Sequence, residues 1–505
     1  MSDHLTRRRR LGAGACAAVL LGAAFLAGPA AATPAAEPPS TPVPIATPDG
    51  MLMSYVVNAK QANPGQTRLV EQAVRAAGGT VVQSWPQIGV VVAHSTSADF
   101  RTEVVAAKGN AVQSVGATRT AEVTEGTPAV GDTPRTPGSR GASQYKKANG
   151  QPRLGGFIAG EVFDVAPAAD PLEGEQWDMV QINADDAQDV TDGARSVLVG
   201  VLDSGIESTH PDLAPNIDAA SSVSCIDAGR PDTSAGAWEP TTSAHGTHVA
   251  GTIAAARNGT GIVGVAPNVR MASVKVVNDD GFIYPEYAVC GFVWAAEQGM
   301  DVTNNSYYVD PFEFWCDDQS DQAAAKEAVR RAVAYSERKG VVSVAAAGNS
   351  AYDLANKTTN ASSPNDTTAV DRTINSGCHD IPTELPGVVT VSATTQTEAL
   401  ASFSNRGLDV IDVAAPGSSI LSTYTGGRYA RLSGTSMASP HVAGVAALLV
   451  SAHPEYTPAQ VVTALREQAR DKTCTTTTRG AACVGTELKN SFYGEGITDA
   501  LAAIG

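Results

Sequence analysis

Between residues 51 and 118 the apolar positions alternate between two periods in a set order. "MLMSYVV" is a run fit for a strand, and "GQTRLVEQAVRAAG" repeats its apolar residues at helical spacing. "GTVVQSW" and "IGVVVAH" read as two further strands, "SADFRTEVVAAKG" as a second helix, and "AVQSVGA" as a closing strand. The order β-α-β-β-α-β predicts a small ferredoxin-like α+β unit.

From Pro171 onward the pattern changes. "SVLVGVLDSG", "VRMASVKVV", "GMDVTNNS", "KGVVSVAAAGN" and "LPGVVTVSAT" are nearly continuous apolar runs. Helical segments separate them: "HVAGTIAAAR", "YAVCGFVWAAEQ" and "DQAAAKEAVRRAVAYSERK". Buried runs alternating with helices predict an α/β domain, a doubly wound and mostly parallel sheet with helices on both faces. In such sheets chemistry collects at the C-terminal ends of the strands.

The segments around these two units lack that patterning. Residues 1–32 read as a signal peptide, with Arg7 to Arg10, an apolar stretch from Leu11 to Ala27, and "AAA" at 30–32. The apolar stretch is too short for a stable membrane anchor. Arg9 and Arg10 leave both the general and the twin-arginine export routes open. Residues 33–50 are a Pro-rich linker, expected to be extended and mobile. Residues 119–170, rich in Pro, Gly, Ser and Thr, read as a flexible linker open to proteolysis. The domain of 171–505 follows.

The chain has 505 residues and a formal net charge of -17, which argues against nucleic acid as a partner. Without Cys16, inside the signal stretch, six cysteines remain, an even number that suits disulfides in an exported chain. Cys474 and Cys483 flank one short segment and form the expected local pair.

Polar residues break the apolar runs at four places: Asp203 in "VLDSGI", His245 in "SAHGTHVAGT", Asn349 in "AAAGN", and Ser436 in "SGTSMASPH". Each alone has an ordinary reading, as a turn residue or a helix cap. In "SGTSMASPH", Ser439-Pro440 fits a cap followed by proline at the first helical position. Together the four supply a hydroxyl, a base, an acid to orient the base, and an amide donor, the parts that acyl transfer needs. His248, three residues after His245, is expected to be a packed core histidine.

These motifs stand in the order Asp, His, Asn, Ser, and the chain resembles the subtilases, subtilisin-like serine peptidases. "HPDL", "GIVGVAPNV", "SFSNRG", "DVAAPGSSILST" and "YGEGITDALAA" extend the resemblance over about 171–505. It implies Ser436 as nucleophile, His245 as base, Asp203 as its orienting acid, and Asn349 in the oxyanion hole. With His and Asn at these positions, a neutral-to-alkaline working range is expected. A helix beginning near Ser436 would put Pro440 in its first turn. Residues 51–118 take the place of an inhibitory propeptide, cut off by the enzyme itself within 119–170. The resemblance further implies polypeptide substrates, the propeptide as intramolecular inhibitor, and a secreted monomer.

Two side sites come from the same resemblance. Gly281, Phe282 and Ile283 form one edge of the substrate groove, and Ser306, Tyr307 and Tyr308 the other, with substrate between them as an added strand. The family usually has two glycines after the serine of Asn-x-Ser, where Tyr307, Tyr308 and Val309 follow Ser306 here. The expected result is a primary pocket narrowed toward small side chains, and the alternative of a dedicated maturation peptidase with few substrates. Structural calcium would be held by Asp212 and Asn258, with Glu173, near the start of the domain, as a third candidate ligand.

Overall fold

The computed structural model describes residues 37–125, 158–163 (backbone only), 170–475 and 480–505. The expected signal peptide of 1–32, and most of the expected linker of 119–170, lie outside the described residues. The described residues from Pro39 onward belong to one compact unit.

The N-terminal part follows the predicted order: β1 (Met53–Ala59), α1 (Pro64–Ala76), β2 (Thr80–Trp85), β3 (Val90–Ser95), α2 (Phe100–Lys108) and β4 (Val112–Ala117). Asn63 starts α1 by accepting the Gln66 N–H at 2.9 Å, with Pro64 at the first helical position. The strands form one antiparallel sheet in the order β2-β3-β1-β4. Its second face rests on two helices of the larger part, Pro285–Glu297 and Ser320–Arg338, and a single hydrophobic core runs through both, from Tyr55 and Val57 to Ala325 and Val329. Gly116 permits the closest approach: a Cβ there would lie 2.6 Å from the Asp321 carbonyl oxygen.

The larger part is built on an eight-stranded sheet, in the order Val413–Pro416, Val388–Thr394, Val342–Ala346, Val302–Asn305, Leu198–Asp203, Arg270–Lys275, Val223–Asp227, Arg230–Asp232. All neighbours are parallel except the last pair. Leu198–Asp203 comes first in the chain, and later strands are added on both its sides. Asp203 therefore ends the strand at which the winding reverses, where open α/β sheets present their crevice. The helices His245–Ala254 and Thr435–Ala452 cover one face. The Thr435–Ala452 helix is apolar enough to cross a membrane, yet its residues from Thr435 to Leu449 are buried in this core.

Three disulfides join Cys225 to Cys290, Cys316 to Cys378, and Cys474 to Cys483, the last being the expected local pair. The Pro-rich stretch behaves differently from the expectation of a mobile linker. The Ser40 N–H and hydroxyl both donate to Asp318, at 2.7 and 2.6 Å, and Thr41 bonds to the Thr373 carbonyl at 2.9 Å. Ile45 is buried in the shared core. Apolar residues spaced between prolines here provide anchors that composition alone does not register.

Candidate active site

Asp203 is buried at the end of its strand, and its carboxylate needs partners there. Oδ1 accepts the Ser204 N–H at 2.7 Å, and both oxygens lie 2.9 Å from Nδ1 of His245. Facing a carboxylate, Nδ1 carries the proton, which leaves the lone pair on Nε2. His245 opens its helix, and Gly246 follows because nothing larger fits: a Cβ would meet the Gly205 carbonyl oxygen at 2.5 Å and Asp203 Cβ at 3.1 Å. The Gly246 N–H is held by Ser204 Oγ at 3.0 Å.

Ser436 is the second residue of its helix, which begins at Thr435. Its side chain is 1% exposed, and Oγ donates to the Ser306 carbonyl at 3.3 Å. Pro440 is the sixth helical residue, past the first turn in which it was expected. Its missing N–H would have bonded the Ser436 carbonyl, four residues back. The Ser306 hydroxyl takes that carbonyl instead, at 2.9 Å. The exchange ties the Ser436 helix to the end of the Val302–Asn305 strand, a tie reinforced by Ser439 Oγ on Asn304 Oδ1 at 2.7 Å. Ser439 is thus a packing residue rather than a cap.

Asn349 has its side chain oriented by the same helix start. Oδ1 accepts the Thr435 N–H at 2.7 Å and the Thr435 hydroxyl at 2.9 Å. The amide nitrogen is thereby turned the other way, buried and without a protein acceptor. A donor held ready beside the first N–H groups of a helix can receive a developing oxyanion. His248 matches its expectation: its Nε2 lies 3.1 Å from both the Ile420 and Ala430 carbonyls, and burial pushes its pKa down to about 3.

The two expected groove edges are linked to each other directly. The Ile283 N–H donates to Asp310 Oδ2 at 2.7 Å, and the Asp310 N–H to the Ile283 carbonyl at 2.8 Å. Phe282 is closed onto Asn278, through the Asn278 N–H to its carbonyl at 3.0 Å and its own N–H to Asn278 Oδ1 at 2.9 Å. The backbone polar groups of Phe282 and Ile283 are therefore taken up within the protein, which corrects the picture of an open strand edge at these residues. Sequence reading missed Asp310, because nothing in "YYVDPF" announces a carboxylate that reaches another loop. Tyr307 is buried with its hydroxyl on Asn305 Oδ1 at 3.2 Å, and burial with the nearby Asp203 charge raises its pKa. The Tyr308 hydroxyl accepts from Asn365 at 3.0 Å.

Of the expected calcium ligands, Asp212 and Asn258 are neighbours, while Glu173 is drawn to the Arg257 guanidinium at 3.0 Å. Asp212 Oδ2 accepts the Ile262 N–H at 3.0 Å and the Tyr429 hydroxyl at 2.8 Å. Its Oδ1 is buried with no protein partner, and burial raises the carboxyl pKa to about 6.

The subtilase family model matches residues 194–496. The chain belongs to the subtilase family. Subtilisin DY of Bacillus licheniformis is 35% identical over 323 residues, 64% of this chain and 96% of that protein. Subtilisin E of Bacillus subtilis (strain 168) is 37% identical over 309 residues, 61% of this chain and 65% of that protein. Two solved structures share the fold. Fervidolysin from Fervidobacterium pennivorans has a TM-score of 0.61 at 24% identity, with 90% of this chain and 61% of that chain covered. The epidermin leader peptide processing serine protease from Staphylococcus aureus has a TM-score of 0.64 at 22% identity, with 90% of this chain and 98% of that chain covered. This subtilase is a serine endopeptidase.

Proposed function

We propose that this subtilase is an exported endopeptidase, made as a self-processing zymogen, that cuts polypeptides through an acyl-enzyme on Ser436. The observation supporting the reading is the Asp203 carboxylate on His245 Nδ1, with Ser436 held against Ser306 just past the neighbouring Val302–Asn305 strand and Asn349 oriented by Thr435 beside it. The reaction scheme comes with the family, since subtilisin is among the enzymes on which it was worked out. His245 takes the Ser436 proton and returns it to the leaving amine. Asp203 holds the tautomer and offsets the imidazolium charge. The Asn349 amide and the Ser436 N–H receive the oxyanion.

Inhibition by residues 51–118 is supported by the extent of their interface. The Asp321 carboxylate accepts the Ala117 N–H at 2.9 Å and Arg101 Nε at 2.6 Å, and Asn58 donates to the Ala324 carbonyl at 2.8 Å. Export is supported by the signal-like N-terminus and the three disulfides. Calcium fits the unpartnered Asp212 Oδ1, an acceptor-only atom, with Asn258 beside it. Glu173, paired with Arg257, is left out of the ligand set. A narrow-range maturation peptidase is the second reading, favoured by the aromatic residues at 307 and 308 in place of the family's glycines.

The test compares the full chain with its Ser436→Ala variant in a protease-deficient host. Wild type is expected to mature and to hydrolyse peptides, and the variant to remain full length. Maturation of the variant on its own would rule out self-processing by Ser436.

A further inference from the structure

Arg119, just past the last strand of the propeptide-like part, fills a pocket whose floor belongs to the peptidase. Its guanidinium bonds to Glu286 and lies 3.7 Å from the centre of the Tyr284 ring and 5.6 Å from that of Tyr287. Those three residues stand at the start of the Pro285–Glu297 helix, which Cys290, one turn past Glu286, ties to Cys225. The cover comes from the propeptide-like side. Glu125 accepts from both terminal guanidinium nitrogens, at 3.1 and 2.8 Å, and from the Tyr287 hydroxyl, while Ser54 donates to Glu286 at 2.9 Å. Arg119, Glu125 and Ser54 therefore leave together. What stays is an acidic floor walled by two rings, with a Glu286 oxygen that has no protein partner even while Arg119 is in place.

This pocket adjoins the expected substrate groove. Tyr284 follows Ile283, which is bonded twice to Asp310. Asn365 donates to Asp310 Oδ1 at 2.6 Å and to the Tyr308 hydroxyl at 3.0 Å. Its neighbour Asp366 accepts the Thr120 and Ala121 N–H groups at 2.8 and 3.0 Å. A chain with its arginine in the pocket thus passes beside the residues that hold Tyr308. The same edge begins at Ser306, whose carbonyl takes the Ser436 hydroxyl. Chain geometry puts Tyr284 at most about 23 Å from Ser306, a span that about seven residues of extended peptide cover.

We propose that, once residues 51–118 have left, Glu286, Tyr284 and Tyr287 bind an arginine side chain of the polypeptide substrate, several residues ahead of the cut, in the place that Arg119 holds before. This rests on the proposed processing and release of that domain. Arginine suits the place better than lysine, because a flat guanidinium lies on a ring and donates to a carboxylate at the same time. A neutral side chain there would cover the Glu286 carboxylate without compensating its charge. One pocket then serves both retention of the propeptide and choice of substrate.

The probe is a neutral, quenched-fluorescent peptide that the processed enzyme cuts at one bond, with the enzyme diluted until its specific activity stops rising. Arginine is placed singly at each position out to about seven residues ahead of the cut, leaving out the residue next to the bond, and citrulline, of the same shape without the charge, at the same positions. At one position or two adjacent ones, arginine is expected to raise kcat/KM at least about tenfold over citrulline, mainly through KM, with lysine between them. Glu286→Gln should bring that ratio to about one, and Tyr284→Ala, which removes the ring alone, should lower it at least about threefold. Equal rates for arginine and citrulline at every position in wild type overturn the subsite and leave the peptidase reading intact, whether or not the variants fold. A preference undiminished in Glu286→Gln or in Tyr284→Ala overturns its assignment to this pocket. If the processed enzyme cuts no peptide at all, the reading beneath the subsite fails and the subsite with it.

Discussion

Arg119 is the residue on which retention of the propeptide-like domain should depend most. Its side chain is 2% exposed and reaches Glu286, which is 0% exposed, while its guanidinium carbon lies 3.7 Å from the centre of the Tyr284 ring. Glu286 has one other donor, the Ser54 hydroxyl at 2.9 Å, and its Oε2 has no partner. Arg119→Ala therefore leaves a buried carboxylate with a single neutral donor. Breaking a buried pair from one side costs about 3–5 kcal/mol. When the domains separate, Glu286 returns to water, so the cost falls on association. Taking about 3 kcal/mol, the dissociation constant rises by roughly two orders of magnitude. The assay dilutes the processed complex serially and measures the peptidase activity regained. Half-release should move to roughly 100-fold higher concentration. Arg68→Ala, which removes an exposed arginine from α1, should leave the midpoint in place. Arg119→Ala with Glu286→Ala should lose less than the single variant, since no charge is stranded. A midpoint for Arg119→Ala within about threefold of wild type would show that this buried pair does not hold the domain.

Three further outcomes are expected. Gly246→Ala should lower kcat at least about tenfold with a smaller change in KM, because a Cβ 2.5 Å from the Gly205 carbonyl must shift the start of the His245 helix; unchanged kcat in steady-state assays would contradict this. Tyr308→Gly should raise kcat/KM for substrates with Phe before the cut at least about tenfold, as judged with a peptide library, and free acceptance of Phe or Leu by wild type would dispose of the narrowed pocket. Calcium should raise Tm, with the gain shrinking as pH falls through about 6, where Asp212 takes up its proton. Without calcium the sign reverses: Asp212 binds its proton more tightly folded than unfolded, so its contribution to stability is lost as pH rises from its ordinary range through about 6. Melts with calcium and with chelator at two pH values test both statements.

Periodicity in the sequence was enough to lay out the elements, because the two periods reflect which face of each strand or helix is buried. The β-α-β-β-α-β unit and the parallel α/β domain are both legible for that reason. So were Asp203, His245, Asn349 and Ser436 as candidates, Asp203 and Asn349 as polar residues ending or following apolar strand runs, His245 and Ser436 as polar residues ahead of apolar helical runs. The sequence could not say that Pro440 sits past the first helical turn, because the hydroxyl that replaces its lost bond comes from Ser306, just past the end of a strand and 130 residues away. Nor could it say that Asp310 takes up the backbone of Ile283, that Glu173 turns to Arg257, or that Ser40 and Thr41 dock a Pro-rich stretch. All of these depend on which polar groups meet once distant segments pack. Local patterning determines what each segment buries, and only the assembled chain decides where its remaining donors, acceptors and charges find partners.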